Sequence, residues 1–261
     1  MSLLAVDVRS APLGRVNPLT KLAAALVLGG TLLLSIDPVS AGVTLVATLL
    51  LLPWSGLSAR QLWVRLWPLA LAAALAALGT ILYGRTSGTV HVEWGLLRVS
   101  DGSLQLALAI LLRVLAIAVP AVVLFATTDP TDLADGLAQI LRLPARFVVG
   151  ALAGLRLVGL FVEDWRDLGM ARRARGVADR GRLRRFAGQS FALFVLAIRR
   201  GTKLATAMEA RGFGADRPRT WARPSRLGPA DAVLLAIAVA VAAASVTAAV
   251  LAGTWTFVWG L

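Results

Sequence analysis

Two copies of the short sequence Ala-Arg-Gly carry the side chains best suited to chemistry in this chain, and each copy ends a long helical pattern. The copies comprise Ala174, Arg175, Gly176, Ala210, Arg211 and Gly212. An Arg guanidinium presents a planar fork of donors that binds carboxylates or carbonyl oxygens on another protein. The small Ala beside it keeps the surrounding surface low. This chemistry is recognition of a partner rather than catalysis.

The Gly of each copy predicts the end of a helix. Gly adopts the left-handed conformation that closes a helix C-terminus, so Arg175 and Arg211 are each expected on a fixed final turn. A single Arg at such a position can simply complement the helix macrodipole. Two copies at equivalent ends of consecutive helices favour docking to a pair of similar partner subunits.

Other reactive groups are sparse. The chain has no Cys and a single His, which excludes disulfides and thiolate or multi-histidine metal sites. Neither a Gly-x-x-x-x-Gly-Lys-[Ser/Thr] phosphate loop nor a Gly-x-Gly-x-x-Gly fingerprint occurs. We therefore expect no catalytic residue, no metal and no cofactor in this chain.

Composition places the chain among integral membrane proteins. It has 261 residues, of which 58% are hydrophobic, and its mean hydropathy is +0.77. Its apolar runs predict an all-α membrane protein with about five transmembrane helices and two long cytoplasmic helices between the fourth and the fifth. The predicted spans are residues 22–36, 39–54, 68–83, 104–126 and about 230–251.

The segments between the spans complete this organisation. Residues 57–67 read as an interfacial segment that leads into the third span, and residues 84–103 as a polar loop with a small hairpin around 89–94. We predict four N-terminal spans in residues 1–126, a cytoplasmic region with both Ala-Arg-Gly copies in 127–226, and a C-terminal transmembrane helix in 227–261.

Charge sets the expected orientation. Residues 141–226 hold 18 Arg and one Lys of the 27 basic residues in the chain. The positive-inside rule makes this segment and the N-terminus cytoplasmic, and leaves the C-terminus outside. Some attraction to anionic lipid is expected, at about 1 kcal/mol per basic residue near the surface. Nucleic acid is disfavoured because the segment has no aromatic stacking platform.

Apolar side chains recur at helical spacing in the two long helices. This periodicity predicts a seam by which the helices pack on each other at the membrane surface. The seam of the second helix comprises Phe191, Phe194, Ile198, Gly201, Ala205 and Met208. That of the first comprises Val158, Phe161, Trp165 and Leu168, with Gly150 and Gly154 upstream allowing a close crossing.

Three further charged or polar side chains could have a functional role. Arg113 lies inside the fourth span, where an uncompensated charge is costly, so we expect it to face the bundle interior and find a partner. His91 and Glu93 are read as ordinary loop residues rather than metal ligands, because the chain has no second His and no Cys.

Taken with their spacing, these motifs resemble a known family, the transmembrane T component of energy-coupling factor (ECF) transporters. Residues 17–22, Asn-Pro-Leu-Thr-Lys-Leu, are similar to its N-terminal signature. Residues 127–130 with Leu133, Leu137 and Leu143-Pro144 are similar to its linker, and the two Ala-Arg-Gly copies match its two hallmark motifs. Arg156 and Glu163 fall at family positions, whereas residues 154–161 lack the Pro of many relatives.

The resemblance implies a non-catalytic scaffold of a vitamin or metal-ion importer in a prokaryotic cell membrane. Its implied partners are two ABC-type ATPase subunits and a small substrate-binding membrane subunit, the S subunit. In that family the Ala-Arg-Gly ends sit in grooves on the ATPases, so opening and closing of the nucleotide sandwich moves the helix tips. The substrate stays open because specificity resides on the S subunit.

Three alternatives remain at this point. A conventional ABC permease has a cytoplasmic coupling segment, but with one coupling site per chain rather than two. An intramembrane enzyme needs clustered carboxylates for Mg²⁺, and the close acidic cluster here, Glu163, Asp164 and Asp167, is surrounded by Arg side chains. A self-sufficient channel has no pore signature in this sequence.

Overall fold

The chain folds into two compact units. The computed structural model describes residues 11–84, 88–94, 97–176, 181–215 and 220–255. One unit, here the membrane unit, holds the described residues up to Leu133 and from Arg226 onward. The other, here the arm unit, is Ala134–Ser225.

Helices dominate the described residues. Two 3₁₀ turns, Pro12–Arg15 and Leu52–Ser55, accompany them. The α-helices and strands, in chain order, are α1 (Pro18–Leu34), α2 (Pro38–Leu51), α3 (Ala59–Tyr83), β1 (Val90–Trp94), β2 (Leu97–Ser100), α4 (Asp101–Ala126), α5 (Pro130–Gln139), α6 (Ala145–Ala174), α7 (Arg182–Ala210) and α8 (Pro229–Leu251).

Five helical segments of the described chain are long and apolar enough to cross a bilayer, which confirms the expected all-α membrane class. They are Pro38–Ser55, Ala59–Leu82, Asp101–Ala126, Ala145–Ala174 and Pro229–Leu251. The set differs from the predicted one at α1, which has 17 residues and a length of about 26 Å. That is short of the roughly 30 Å hydrocarbon core. In its place α6 qualifies through its apolar N-terminal half.

The break between the first two helices is built from three side chains. Asp37 caps α2, and its carboxylate accepts hydrogen bonds from the Ser40 backbone N–H at 2.6 Å and the Ser40 hydroxyl at 2.7 Å. The Ser35 hydroxyl donates to the same carboxylate at 2.6 Å. Pro38 at the first helical position needs no N–H partner, so the Asp-Pro pair ends one helix and starts the next.

The third helix is longer than predicted. Residues 57–67 do not form a separate interfacial segment, because α3 begins at Ala59 behind a Ser58–Gln61 capping box and runs through Pro68. A Pro in a helix interior removes one backbone hydrogen bond, which membrane helices tolerate when neighbouring groups satisfy the freed carbonyl. The prediction that the third span starts at Pro68 was therefore wrong at its N-terminal end.

The loop before α4 contains the predicted hairpin. Strands β1 and β2 pair antiparallel, with Glu93 opposite Arg98 and Trp94 opposite Leu97. The hairpin leads directly into α4, where Ser100 and Ser103 form a reciprocal capping box. The side chains of His91 and Glu93 lie outside the described part of the structure.

Small side chains dominate the core of the membrane unit. Helix α4 packs against α2 and α3, and α8 packs against α1 and α2. Close approach of membrane helices depends on small residues at the contact, because lipid tails are as apolar as the side chains themselves. The buried clusters are Ala24, Leu28, Leu124, Ala238 and Ala242, and Leu32, Ala41 and Ala116.

Arg113 is half-buried on α4. The Asp37 carboxylate, which caps α2, is the acidic group that favours the charged form of Arg113. The expectation that Arg113 faces the bundle interior and finds a partner there stays a prediction.

Replacing Asp37 should destabilise the membrane unit more than replacing an exposed cap. Asp37→Ala removes three hydrogen bonds to a buried carboxylate and is expected to lower the free energy of unfolding by about 2 kcal/mol. Ser58→Ala, at the exposed cap of α3, is the matched control and should cost at most about 1 kcal/mol. Thermal denaturation in detergent measures both, and equal losses would contradict the assignment.

Candidate functional site

The first Ala-Arg-Gly copy ends α6. Ala174 is the last helical residue, Arg175 follows it, and Gly176 adopts a left-handed φ of 66°. The Gly176 N–H donates to the Arg173 carbonyl at 3.0 Å, and the Arg175 N–H to the Ala171 carbonyl at 3.2 Å. These bonds satisfy carbonyls that a helix C-terminus otherwise leaves free.

The second copy ends α7 with the same geometry. Ala210 is the last helical residue, and Gly212 has a φ of 79°. The Gly212 N–H donates to the Glu209 carbonyl at 2.9 Å, and the Phe213 N–H to the Met208 carbonyl at 2.9 Å. This pair of bonds is the Schellman motif, which fixes the direction of the chain leaving the helix.

Both Arg residues lie on turns whose backbone is fixed by these caps. Arg175 and Arg211 have closely similar backbone angles, with φ near −90° and ψ near 10°. Both are exposed, and among the described residues neither guanidinium has a hydrogen-bond or ion-pair partner. The predicted helix ends are thus confirmed, and each presents a complete set of guanidinium donors.

The two tips lie far apart within the arm unit. Helix α7 has 29 residues, which corresponds to a length of about 43 Å. Its first turn follows closely after the α6 tip in the chain, whereas Arg211 lies at its far end. The two Arg residues therefore lie near opposite ends of α7.

A small polar crossing joins the two long helices. The Arg200 guanidinium donates to the Asp164 carboxylate at 2.7 Å. The buried Gln189 side chain donates to the Trp165 carbonyl, and the Trp165 and Phe186 rings meet edge to face at 5.5 Å. The sequence reading missed Arg200 and Gln189, because a polar contact leaves no apolar period to detect.

The acidic cluster is used by this crossing. Asp164 is buried and paired with Arg200, while Glu163 and Asp167 are exposed on α6. In the described part of the chain no group of three His, Cys, Asp or Glu side chains is placed to hold a metal ion. The carboxylates do not converge in the way that a Mg²⁺-dependent intramembrane enzyme requires.

The two long helices pack on each other as predicted, and Trp165 of the predicted seam contacts α7, but much of the predicted seam is exposed. Phe191, Phe194 and Ile198 are 70%, 62% and 55% exposed, and Val158 on α6 is 56% exposed. The space around Gly150 and Gly154 is also open, so no close helix crossing occurs there within the described chain. The period of α7 correctly predicted an apolar face on this helix, but within the described chain that face does not pack against α6.

Comparison with known proteins agrees with this arrangement. Residues 9–221 match the CbiQ family model, which is described as cobalt transport protein. The chain belongs to this family.

Several curated relatives in this family are energy-coupling factor transporter transmembrane proteins, EcfT. The one from Limosilactobacillus fermentum is 30% identical over 196 residues, which cover 68% of this chain and 73% of the relative. The one from Lacticaseibacillus paracasei is 30% identical over 220 residues, covering 79% and 82%. EcfT 1 of Listeria monocytogenes is 28% identical over 214 residues, covering 77% and 80%. The resemblance to the ECF T component is confirmed.

The family signature at residues 17–22 contains buried polar residues whose contacts the sequence reading did not predict. Lys21 is 2% exposed and Asn17 is 8% exposed, and both bind groups far away in the chain. Asp231, a partner of Asn17, was not singled out. The available signal was an acidic residue at the start of an apolar run, which is costly unless it is paired.

The glycine cap of the second tip can be tested by adding one methyl group. Gly212→Ala meets no steric obstacle beyond its own left-handed backbone, which should cost about 1 kcal/mol and loosen the final turn. Gly201→Ala, inside α7 with open space around it, is the matched control and should be neutral or stabilising. Amide hydrogen exchange of residues 205–213 should accelerate only in Gly212→Ala, and equal exchange in both variants would contradict the cap.

Proposed function

We propose that this chain is the T component scaffold of an ECF-type importer, in which it couples ATP hydrolysis by two partner ATPases to movement of a substrate-binding membrane subunit. The single observation that carries the proposal is the pair of exposed Arg residues at the ends of α6 and α7, each followed by a left-handed Gly. Family membership and the EcfT relatives support it.

Each tip is suited to a rigid contact with an ATPase. A guanidinium held on a fixed turn loses little conformational freedom on binding a carboxylate or a row of carbonyls. The arm unit has the matching polarity, because most of the basic residues of the chain lie in it. We place both Arg tips and the N-terminus on the cytoplasmic side, where ATP is available, although the N-terminal half of α6 is apolar enough to enter the bilayer.

The separation of the tips favours two ATPases rather than one. About 43 Å lies between the two ends of α7, which exceeds the reach of one shallow groove. One ATPase at each tip turns any change in the distance between the ATPases into a change in the angle between α6 and α7. The small crossing at Asp164 and Arg200 leaves most of both helices free to move.

The exposed apolar face of α7 is suited to the S subunit. Phe191, Phe194 and Ile198 lie on one side of the helix and leave a large apolar surface uncovered within the described chain. Such a surface on a cytoplasmic helix is unfavourable in water, so it requires lipid or an apolar partner. A small, very hydrophobic membrane subunit has the complementary chemistry.

Charge reversal at both tips should release the ATPases. Arg175→Glu with Arg211→Glu puts a carboxylate at each contact, and we expect at least a tenfold loss of ATPase subunits when the tagged chain is purified from its own cells. Arg166→Glu with Arg199→Glu changes the same charge at exposed positions of the same helices and is the control. Unchanged co-purification and unchanged ATP hydrolysis in the tip variant would overturn the proposal.

The apolar face can be tested separately from the tips. Phe191→Ser, Phe194→Ser and Ile198→Ser together should remove the small membrane subunit from the purified complex while both ATPases remain. Replacing the same three residues with Leu keeps the apolar area and should retain the subunit. Mass spectrometry of the co-purified chains measures both results. Retention of the subunit in the Ser variant would count against this surface.

A further inference from the structure

The chain crosses between the two units twice, and both crossings begin at groups bound to one helical turn. It leaves the membrane unit after Leu133 and returns at Arg226. The residues that precede the exit and those that follow the return are each hydrogen-bonded to the first turn of α1. We call this set the α1 clasp; it consists of Asn17, Lys21, Thr127, Arg226 and Asp231.

Lys21 holds the outgoing segment. Its ammonium donates to the Thr127 carbonyl at 2.7 Å and reaches the Thr127 hydroxyl at 3.3 Å. Thr127 is the C-terminal cap of α4, the last long helix before the exit. Lys21 is almost completely buried, so its charge depends on these oxygens and on the nearby carboxylates of Asp132 and Asp231.

Asn17 holds the returning segment. Its side-chain amide donates to the Arg226 carbonyl at 3.2 Å, and its backbone N–H donates to the Asp231 carboxylate at 2.7 Å. The other oxygen of that carboxylate accepts the Gly228 N–H at 2.6 Å. The returning chain and the start of α8 are therefore fixed to the residue that caps α1.

The clasp brings both connections to a helix that lies in the core of the membrane unit. Helix α1 packs against α8 and α4 through Ala24 and Leu28. A buried charge-assisted hydrogen bond transmits displacement, because stretching it weakens the pairing of polar groups that are costly to leave unpaired away from water. Pulling on either connection thus acts on the same turn.

We propose that Asn17, Lys21 and Asp231 are positioning residues for transport: they pass movement of the arm unit to α1 through the two chain crossings. This inference rests on the proposed function, because it requires ATP to move the arm unit. The residues do not touch nucleotide or substrate. Their role is to make α1 the point at which the motion enters the membrane unit.

Spin-label distances in the assembled complex test the clasp. The chain has no Cys, so pairs can be introduced without background. Asp167→Cys with Ala207→Cys, both exposed, reports motion within the arm unit, and Leu26→Cys with Leu71→Cys, both exposed, reports α1 against α3. In the otherwise unchanged complex, ATP is expected to shift both distance distributions.

Lys21→Met and Asp231→Asn should separate the two responses. We expect the arm pair to shift with ATP as before and the membrane pair to lose at least three quarters of its shift, at unchanged subunit composition. Lys21→Arg keeps a charged donor and should restore the shift. Thr127→Val keeps the carbonyl that accepts the stronger Lys21 bond and removes the hydroxyl, with its weaker Lys21 bond and its bonds to carbonyls of the preceding turn; it should preserve most of the shift.

The outcomes distinguish the inference from the proposed function. If ATP leaves the arm pair unmoved in the unchanged complex, the proposed function fails. If the arm pair moves and the membrane pair still shifts in both Lys21→Met and Asp231→Asn, the clasp proposal alone is overturned. It is also overturned if the membrane pair never responds to ATP, or if ATP hydrolysis and both shifts fall together while the complex stays intact.

Discussion

Backbone groups at helix ends must find partners, and the way each end is satisfied determines what this protein presents to others. At the ends of α6 and α7 a left-handed Gly turns the chain so that backbone N–H groups bind the last carbonyls. No side chain is needed there, and within the described chain the guanidinium groups of the adjacent Arg residues are exposed. The end of α8 in the membrane unit has the same kind of cap at Gly253, but at two helix N-termini of that unit a side chain supplies the bonds instead. Asn17 and Asp37 cap the helices with their own side chains and become buried in doing so.

The buried side-chain caps make the membrane unit more rigid than the arm unit. Buried caps with several hydrogen bonds give corners that cannot open without exposing polar groups to an apolar surrounding. The arm unit has few such contacts, and its long helices meet at one ion pair, one amide bond and one ring contact. Many of its large apolar side chains are exposed. A firm membrane bundle joined to an arm with a small internal contact suits a protein that transmits movement rather than performing chemistry.

Local signals in the sequence predicted the helix ends well. Asp37-Pro38, the Thr127–Pro130 break and both Gly caps depend on residues close in the chain, so their outcome could be read from spacing alone. Signals that depend on distant partners failed. The period of Phe191, Phe194 and Ile198 identified an apolar face but could not say that its partner lies outside α6. Pro68 was predicted as the start of a span but lies inside α3. Groups on neighbouring membrane helices can satisfy the carbonyl that a Pro leaves without its hydrogen bond, which an isolated helix cannot do.

Asp231 illustrates the remaining gap and its consequence for mechanism. A carboxylate at the start of α8 gives no hint of its partner, since Asn17 lies at the other end of the chain. Only the folded bundle brings the two together, and it does so beside Lys21, where the outgoing segment is also held. A scaffold that must move as one body when two separate tips are displaced needs its connections to converge. Under the proposed function, convergence on one turn of α1 meets that need with three polar side chains, and it accounts for Lys21, the one charged residue in a helix otherwise rich in Leu and Ala.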